Sequence, residues 1–502
     1  MSEKYILAID QGTTGSTVML FDYEGVVRGK AYSEFTQYYP QPGWVEHDAE
    51  ELWNVTHGVI KTAIESSGVD AKRIHAIGIT NQRETSLLWD KKSGMPVSHA
   101  IVWQDRRTSK LCDDLKKEGL ESLWQEKTGL LIDPYFSATK IRWMLDHDEG
   151  LRERAEAGDI AFGTIDTWLV WKLSGGKCHI TDYSNASRTM LYNIFDLAWD
   201  HDILSRLDIP ESILPEVKAS SQVYCESDPG IFFGCSVPVA GIAGDQQAAL
   251  FGQACYGEGL AKNTYGTGSF LLMNTGNVPV LSKERLLTTI AWRIGADPVE
   301  YALEGSVFVT GAAIQWLRDG LGIIDEASET EKMAFSLDGN GGVYFVPALT
   351  GLGAPHWDPY ARGTIVGLTR GTTKEHIARA ALESICYQTR DVAEAMERES
   401  GIRLNELRAD GGAVANRFLM QFQADILGVA VEIPAISETT ALGAAYLAGL
   451  STAFWKNRDE LDSKWQMAHR YEPGMSGSSR NQLYERWKDA VKRSLGWADD
   501  NN

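Results

Sequence analysis

The chain has 502 residues, 43% of them hydrophobic and 23% charged, which is long enough for more than one packed core and argues against a disordered polymer. Its formal net charge is −20, and no basic stripe offsets it, so the sequence lacks the electrostatic footprint of a nucleic-acid binder. A polyphosphate ligand held against this background would need local donors, backbone dipoles or a metal ion.

In chain order, the polar start Met1-Ser2-Glu3-Lys4 carries none of the three regions of a signal peptide and leads straight into Tyr5–Asp10. That segment is apolar up to its last carboxylate and predicts a buried strand. Residues 11–16 read as a turn and Thr17–Asp22 as the returning strand. Helical spacing covers 49–66, a strand is predicted over Arg73–Thr80, and helices are predicted over Gln104–Gln125 and Ala138–His147. Strands alternating with helices at this spacing predict a layered α/β domain.

The middle of the chain echoes the start. Gly259–Thr264 reads as a strand, Tyr265-Gly266-Thr267-Gly268 as a turn, and Ser269–Asn274 as the return. This echo predicts two domains of similar plan, residues 1–250 and 251–502. Further on, Thr373–Ser400 predicts a long helix. Leu404–Asp410, Gly411-Gly412-Ala413 and Ala415–Leu427 read as strand, glycine turn and helix, and Thr440–Gly449 as a small-residue helix. A glycine-rich loop after Pro473 precedes one terminal helix. No apolar run reaches the ~18–20 residues of a spanning helix. The six cysteines form no C-x-x-C pair, as expected of reduced thiols in the cytoplasm.

Three glycine turns that follow predicted strands carry the phosphate chemistry. In Asp10-Gln11-Gly12-Thr13-Thr14, a strand-end carboxylate suits a hydrated Mg²⁺, and the glycine lets backbone N–H groups approach an anion. Gly266-Thr267-Gly268 and Gly411-Gly412 repeat the device, the last of them placed where a nucleotide could lie against a helix N-terminus. Each turn taken alone also reads as ordinary structure. A P-loop, the protein-kinase motifs and a strand-linked dinucleotide fingerprint are all absent.

Asp245, in Gly244-Asp245-Gln246-Gln247, follows an apolar strand and opens a helix, as a general base at an acceptor hydroxyl or as a plain N-cap. Arg83-Glu84 after the 73–80 strand suits gripping neighbouring hydroxyls, but as a bare pair reads equally as a surface ion pair. Trp103-Gln104-Asp105-Arg106-Arg107 is a polar-aromatic cluster suited to a pocket wall or a capped helix start. Tyr135 and Phe270 offer an aromatic hydroxyl and a ring face, or are core aromatics.

Taken together, from Tyr5 to Leu450, these segments resemble the FGGY family of carbohydrate kinases. Arg83-Glu84, the 103–107 cluster, Tyr135 and Phe270 point to its glycerol-phosphorylating members. The resemblance implies an α/β fold of two actin-like ATPase (ribonuclease H-like) domains, with ATP and substrate in the cleft between them. It implies Asp245 as base, Arg83, Glu84, Tyr135, Asp245 and Gln246 on glycerol hydroxyls, and Phe270 against the carbon chain. Mg²⁺ would sit at Asp10. Thr13, Thr14, Gly15 and Thr267 would meet phosphates, with Gly311, Gln315, Gly411 and Asn416 along the nucleotide. A homo-oligomer, dimer or tetramer, is implied as well. Two departures are visible. Thr17 stands where many glycerol-phosphorylating members carry arginine, and residues 227–235 carry neither the phosphorylated histidine nor the Gly-x-x-Arg of regulated ones. Two alternatives stay open: a family member acting on a larger polyol or ketose, and an actin-like ATP-driven binding protein.

Overall fold

The computed structural model describes residues 4–498; Met1, Ser2 and Glu3 lie outside the described residues. Two mixed sheets organise it. The first contains β1 (Tyr5–Gln11), β2 (Gly15–Phe21), β3 (Val27–Glu34), β4 (Ile74–Asn81), β5 (Ser221–Glu226) and β6 (Pro238–Gly244), in the order β5-β6-β4-β1-β2-β3. The second contains β7 (Leu260–Tyr265), β8 (Ser269–Gly276), β9 (Leu287–Trp292), β10 (Glu300–Val307), β11 (Glu406–Asp410), β12 (Ala430–Pro434) and β13 (Met467–Tyr471), in the order β9-β10-β8-β7-β11-β12-β13.

Both sheets repeat one plan. An antiparallel meander, β3-β2-β1 or β10-β8-β7, is continued by two strands parallel to its first member, then by an antiparallel edge strand. Strand β9 is an addition at one edge. The echo of two glycine-threonine hairpins is therefore the visible part of a duplicated sheet, as the actin-like layout requires.

The strands and helices follow from local chemistry. Ile6 to Ile9 of β1 are buried on both faces, as suits a strand in the middle of a sheet covered on both sides. Helix α1 (Ala49–Ser67) starts where Asp48 accepts the Glu50 and Glu51 N–H groups and stops at Gly68, whose φ is +69°. The predicted 104–125 helix is a difference. Residues 102–108 wind through turns, because the Asp105 carboxylate accepts the Val45 and Arg107 backbone N–H groups. Helices α2 (Ser109–Lys117) and α3 (Glu121–Thr128) follow, separated at Gly119 with φ +76°. Helix α4 spans Ser137–His147 and the one-turn α5 spans Tyr183–Ser187.

The core between the halves is built by α6 (Asp245–Gly252) and by a helix from far down the chain. After α7 (Gly311–Gln315), α8 (Glu329–Phe335), the long α9 (Lys374–Ser400) and α10 (Arg417–Leu427) comes α11 (Thr439–Ser451). Apolar all round, α11 packs against α6 and crosses β1, β4 and β6 of the first sheet. Its approach needs glycine on both sides. A Cβ at Gly78 would lie 2.2 Å from Ala444 O, and one at Gly443 would lie 1.8 Å from Ala248 O. A terminal helix, α12 (Gly477–Lys492), ties back to α9, where Asp391 accepts the Tyr484 hydroxyl (2.6 Å) and the Trp487 indole N–H (2.8 Å). No helix among the described residues is long and apolar enough to cross a membrane.

Candidate active site

Strands β1, β4 and β6 are neighbours and parallel, so their C-terminal ends present Asp10, the segment after Asn81, and Asp245 along one edge. Asp10 is half-buried, and burial followed by the charge of Asp245 raises its carboxyl to about 7. Asp10 pairs in register with Thr80, whose buried hydroxyl has no hydrogen-bond partner among the described residues. Asp10 and Asp245 stand at the ends of strands on either side of β4 and act on each other electrostatically, and a strand-end carboxylate of this kind suits a hydrated dication. The turn after Asp10 is locked by Gln11, whose Oε1 accepts the Ser16 (2.9 Å) and Thr56 (2.7 Å) hydroxyls. Thr13 is half-buried and accepts the Trp103 indole N–H at 3.0 Å, while Thr14 is exposed. Gly15 is buried as β2 begins, where a Cβ would meet the Tyr32 ring at 2.6 Å.

Arg83 and Glu84 are not a surface pair: they are 3% and 1% exposed. Arg83 donates to both oxygens of Glu304, at 2.6 and 3.1 Å, and to Gln247 Oε1 at 3.2 Å. Arg188 donates to Glu84 (2.7 Å) and Glu304 (3.0 Å), closing a buried quartet of two guanidiniums and two carboxylates. Burial works against the Glu304 charge, but Arg188 and Arg83 outweigh it and hold its carboxyl down at about 2. At Glu84 burial prevails and raises the carboxyl. The Glu84 backbone sits at φ +60°, the left-handed region, with its carbonyl accepting the Ser86 and Ser137 hydroxyls at 3.0 Å. Tyr135 is half-buried over the quartet, 5.7 Å from Arg188 and edge-on to Trp103 at 5.6 Å. Burial and then Glu84 raise the Tyr135 hydroxyl, so it stays protonated as a neutral donor or acceptor. Of the remaining 103–107 cluster, Asp105 and Arg107 pair with each other, and Arg107 lies 3.7 Å over the Trp44 ring, a structural clamp.

Asp245 is the first residue of α6; Gly244, not Asp245, is its N-cap. Asp245 Oδ1 accepts the Gln246 backbone N–H at 2.7 Å, and Arg83 Nε lies 3.1 Å from the same oxygen. No hydrogen bond among the described residues reaches Oδ2, and the side chain is 33% exposed, which leaves one oxygen available to a hydroxyl proton. Gln246 is 9% exposed, and Lys262 on β7 donates to its Oε1. Phe270 is half-buried on β8, opposite Thr264 and Ser306, and packs on the core between the two sheets. Arg83, Glu84, Tyr135, Asp245 and Gln246 thus lie in one connected group, whereas no hydrogen bond, ion pair or ring contact among the described residues joins Phe270 directly to it.

The other two glycine turns meet at the ends of β7 and β11. Gly411, at φ +92°, lies so close to β7 that a Cβ would sit 2.3 Å from Tyr265 O. Thr267 is exposed at the turn tip, and its carbonyl accepts the Thr310 (2.9 Å) and Ala312 (3.0 Å) N–H groups. Gly311 N–H donates to Gly266 O at 3.0 Å, which brings α7 and its exposed Gln315 onto this turn. One expectation is corrected. The glycine pair runs into a 3₁₀ turn, Gly412–Ala415, so the start of α10 is not a free anion site. Asn416 caps it by accepting the Leu419 N–H, Arg417 N–H donates to Glu331, and Asn416 Nδ2 donates to Thr330.

Glu304, Arg188 and Lys262 were missed by sequence reasoning. A signal existed for two of them: Glu304 interrupts the apolar run Tyr301-Ala302-Leu303, and Lys262 follows Leu260-Ala261, each a charge inside a strand buried on both faces. Arg188 lies just after α5 and offers no pattern.

In sequence and overall fold the chain matches known proteins of one family. The model described as "FGGY family of carbohydrate kinases, N-terminal domain" matches residues 5–252, and that of the C-terminal domain matches residues 261–452. The chain is 62% identical over 498 residues to the glycerol kinase of Petrotoga mobilis, covering 99% of this chain and all of that one. It is 60% identical to glycerol kinase 2 of Thermotoga maritima, covering 98% of this chain and 99% of that one. Among solved structures, Plasmodium falciparum glycerol kinase with ADP superposes with a TM-score of 0.94 at 36% identity, over 98% of each chain. Gluconate kinase of Lactobacillus acidophilus, at 22% identity and a TM-score of 0.89 over 98% of each chain, shares the fold.

Proposed function

The chain belongs to the FGGY family of carbohydrate kinases, and on that premise we propose that it transfers the γ-phosphoryl group of ATP to a terminal hydroxyl of glycerol, giving ADP and sn-glycerol 3-phosphate. The observation that carries this reading is the Asp245 carboxylate, with one oxygen held by Gln246 N–H and Arg83 and the other open beside a buried grip of Arg83 and Glu84.

In this mechanism Asp245 Oδ2 takes the proton of the attacking hydroxyl. Arg83 donates to a substrate oxygen, and Glu84 accepts from a hydroxyl while its charge is balanced by Arg188. Tyr135 and Gln246 complete the polar contacts, and Phe270 covers the carbon chain. Backbone N–H groups of the turns at Gly12, Gly266 and Gly411, with the hydroxyls of Thr13, Thr14 and Thr267, would cradle the phosphates. Asp10, with Asp245 close by, would hold Mg²⁺ through water, and the ion when bound neutralises charge on the phosphate oxygens. The supporting arrangement divides near residue 250, with the polyol side chains mostly before it and the nucleotide turns mostly after it. The same reading sets the reaction in the cytoplasm, where six unpaired thiols persist.

A coupled ADP-release assay with Mg·ATP tests it, comparing glycerol, xylulose, ribulose, erythritol and no acceptor. Fast turnover confined to glycerol is expected. Preference for a ketose would overturn the substrate, and acceptor-independent hydrolysis would overturn the transfer reaction.

A further inference from the structure

Lys262 is an unusual residue to find where it is. It lies on β7, fully buried, in a strand otherwise packed against the core. A buried ammonium is costly unless it is paired and hydrogen-bonded. Here it donates to Gln246 Oε1 and to Thr264 Oγ1 (3.0 Å), with the carboxylates of Asp410, Asp245 and Glu304 around it and the Arg83 guanidinium as a competing cation. Burial nevertheless brings its proton affinity down to about 8.

We propose that Lys262 is a positioning residue of the polyol site, fixing the Gln246 side chain so that its amide N–H groups face the substrate. This rests on the reading of Gln246 as a substrate contact. An ammonium has three donors and no acceptor, so it can hold only the carbonyl end of an amide. With Oε1 on Lys262, Nε2 must point the other way, and no described residue accepts from Gln246 Nε2. That nitrogen is also absent from the fully buried polar atoms left without partners, so it reaches open space.

The placement has a chemical consequence. Gln246 is made a pure donor, next in sequence to Asp245, whose free oxygen accepts a proton. A hydroxyl that donates to Asp245 or Glu84 keeps a lone pair for Gln246. Thr264, the other partner of Lys262, lies opposite Phe270 in the β7–β8 register. Lys262 therefore ties the polar contact at Gln246 to the strand pair that carries the apolar one. The sheet supplying this anchor belongs to the other half of the molecule, so the amide is oriented only when the halves are packed as they are here.

The test is a double-mutant cycle of Lys262→Met, which keeps the side-chain length, with Gln246→Ala. Lys262→Met is expected to raise the glycerol KM about tenfold, the loss of one net hydrogen bond, with kcat and the ATP KM little changed. In the Gln246→Ala background the same substitution should add nothing. Additive effects, or a loss confined to kcat or to the ATP KM, would overturn the proposal. If Lys262→Met does not fold, Gln246→Glu serves: its carboxylate pairs with Lys262 but cannot donate, so the protein should melt no lower while the glycerol KM rises. An unchanged KM there overturns the proposal as well. Should the wild type prefer another polyol, the substrate reading fails in the wild type alone, and the cycle is run on that polyol with the same two outcomes.

Discussion

Arg83 Nε lies 3.1 Å from Asp245 Oδ1, on the oxygen that already accepts the Gln246 N–H, so the guanidinium joins the substrate grip to the proposed base. The same guanidinium is held from the far side by both oxygens of Glu304, 221 residues away in sequence. Base, grip and anchor form one connected chain of charges, in which Asp245 Oδ2 and the buried Arg188 Nη1 have no hydrogen-bond partner among the described residues.

Asp245→Asn keeps the shape of the side chain and removes its basicity. Turnover is expected to fall by about 10²–10⁴-fold, with a smaller change in the glycerol KM, read from steady-state kinetics. Near-normal turnover would take Asp245 out of the role.

Glu304→Gln leaves Arg83 and Arg188 buried with too little negative charge. Breaking one side of a buried ion network costs about 3–5 kcal/mol, which a denaturant titration measures. Because Arg83 loses its anchor, the glycerol KM should rise in the same variant. A stable protein with an unchanged KM would mean that the quartet neither supports the fold nor sets the grip.

Asp166 is fully buried behind β4, accepting the Thr164 and Thr181 hydroxyls, and burial as the largest cause raises its carboxyl to about 7. A folded-state pKa above the unfolded value of about 3.9 contributes stability that is complete below that value and is lost as pH rises through about 7. Against Asp166→Asn, which cannot titrate, the wild type should therefore lose ground between pH 4 and 7. Melting temperatures recorded across that range for both proteins check this, and parallel curves would refute it.

Gly443 faces Ala248 O across the α6–α11 contact, where a Cβ would sit at 1.8 Å. Gly443→Ala must push the helices apart, an overpacking cost of about 1–3 kcal/mol. Since α6 begins with Asp245, kcat should fall along with the melting temperature. Stability lost without any change in kcat would show that α6 can shift without moving the base.

Much of this architecture could be read locally. Tyr5–Asp10, apolar up to its carboxylate, and Gly259–Thr264 both lead into glycine turns, and both are strands at the centre of their sheets. The 27-residue α9 carries its own start and stop, with Thr373 capping one end and Gly401 at φ +71° closing the other. What could not be read were partnerships between distant segments. Arg83 by itself looks like a solvated charge, because nothing near it announces Glu304 or Arg188. The 104–125 segment has helical spacing, yet the Asp105 carboxylate competes for backbone N–H groups and Gly119 interrupts the helix. At Asn416 the residue was singled out for a ligand, and its amide is engaged by its own helix and by Thr330.

The return of α11 to the first sheet has a consequence for synthesis. Ile6, Ala8, Ala76 and Ala240 share a core with Ala441, Leu442, Ala445 and Tyr446. A chain growing from its N-terminus therefore completes every strand of the first sheet about 200 residues before the helix that seals its inner face exists. Until residue 451 has emerged, that face stays greasy and open, and the nascent half cannot finish folding on schedule. A fragment ending near residue 252 would leave that apolar face uncovered, the kind of surface that drives aggregation of partly folded chains.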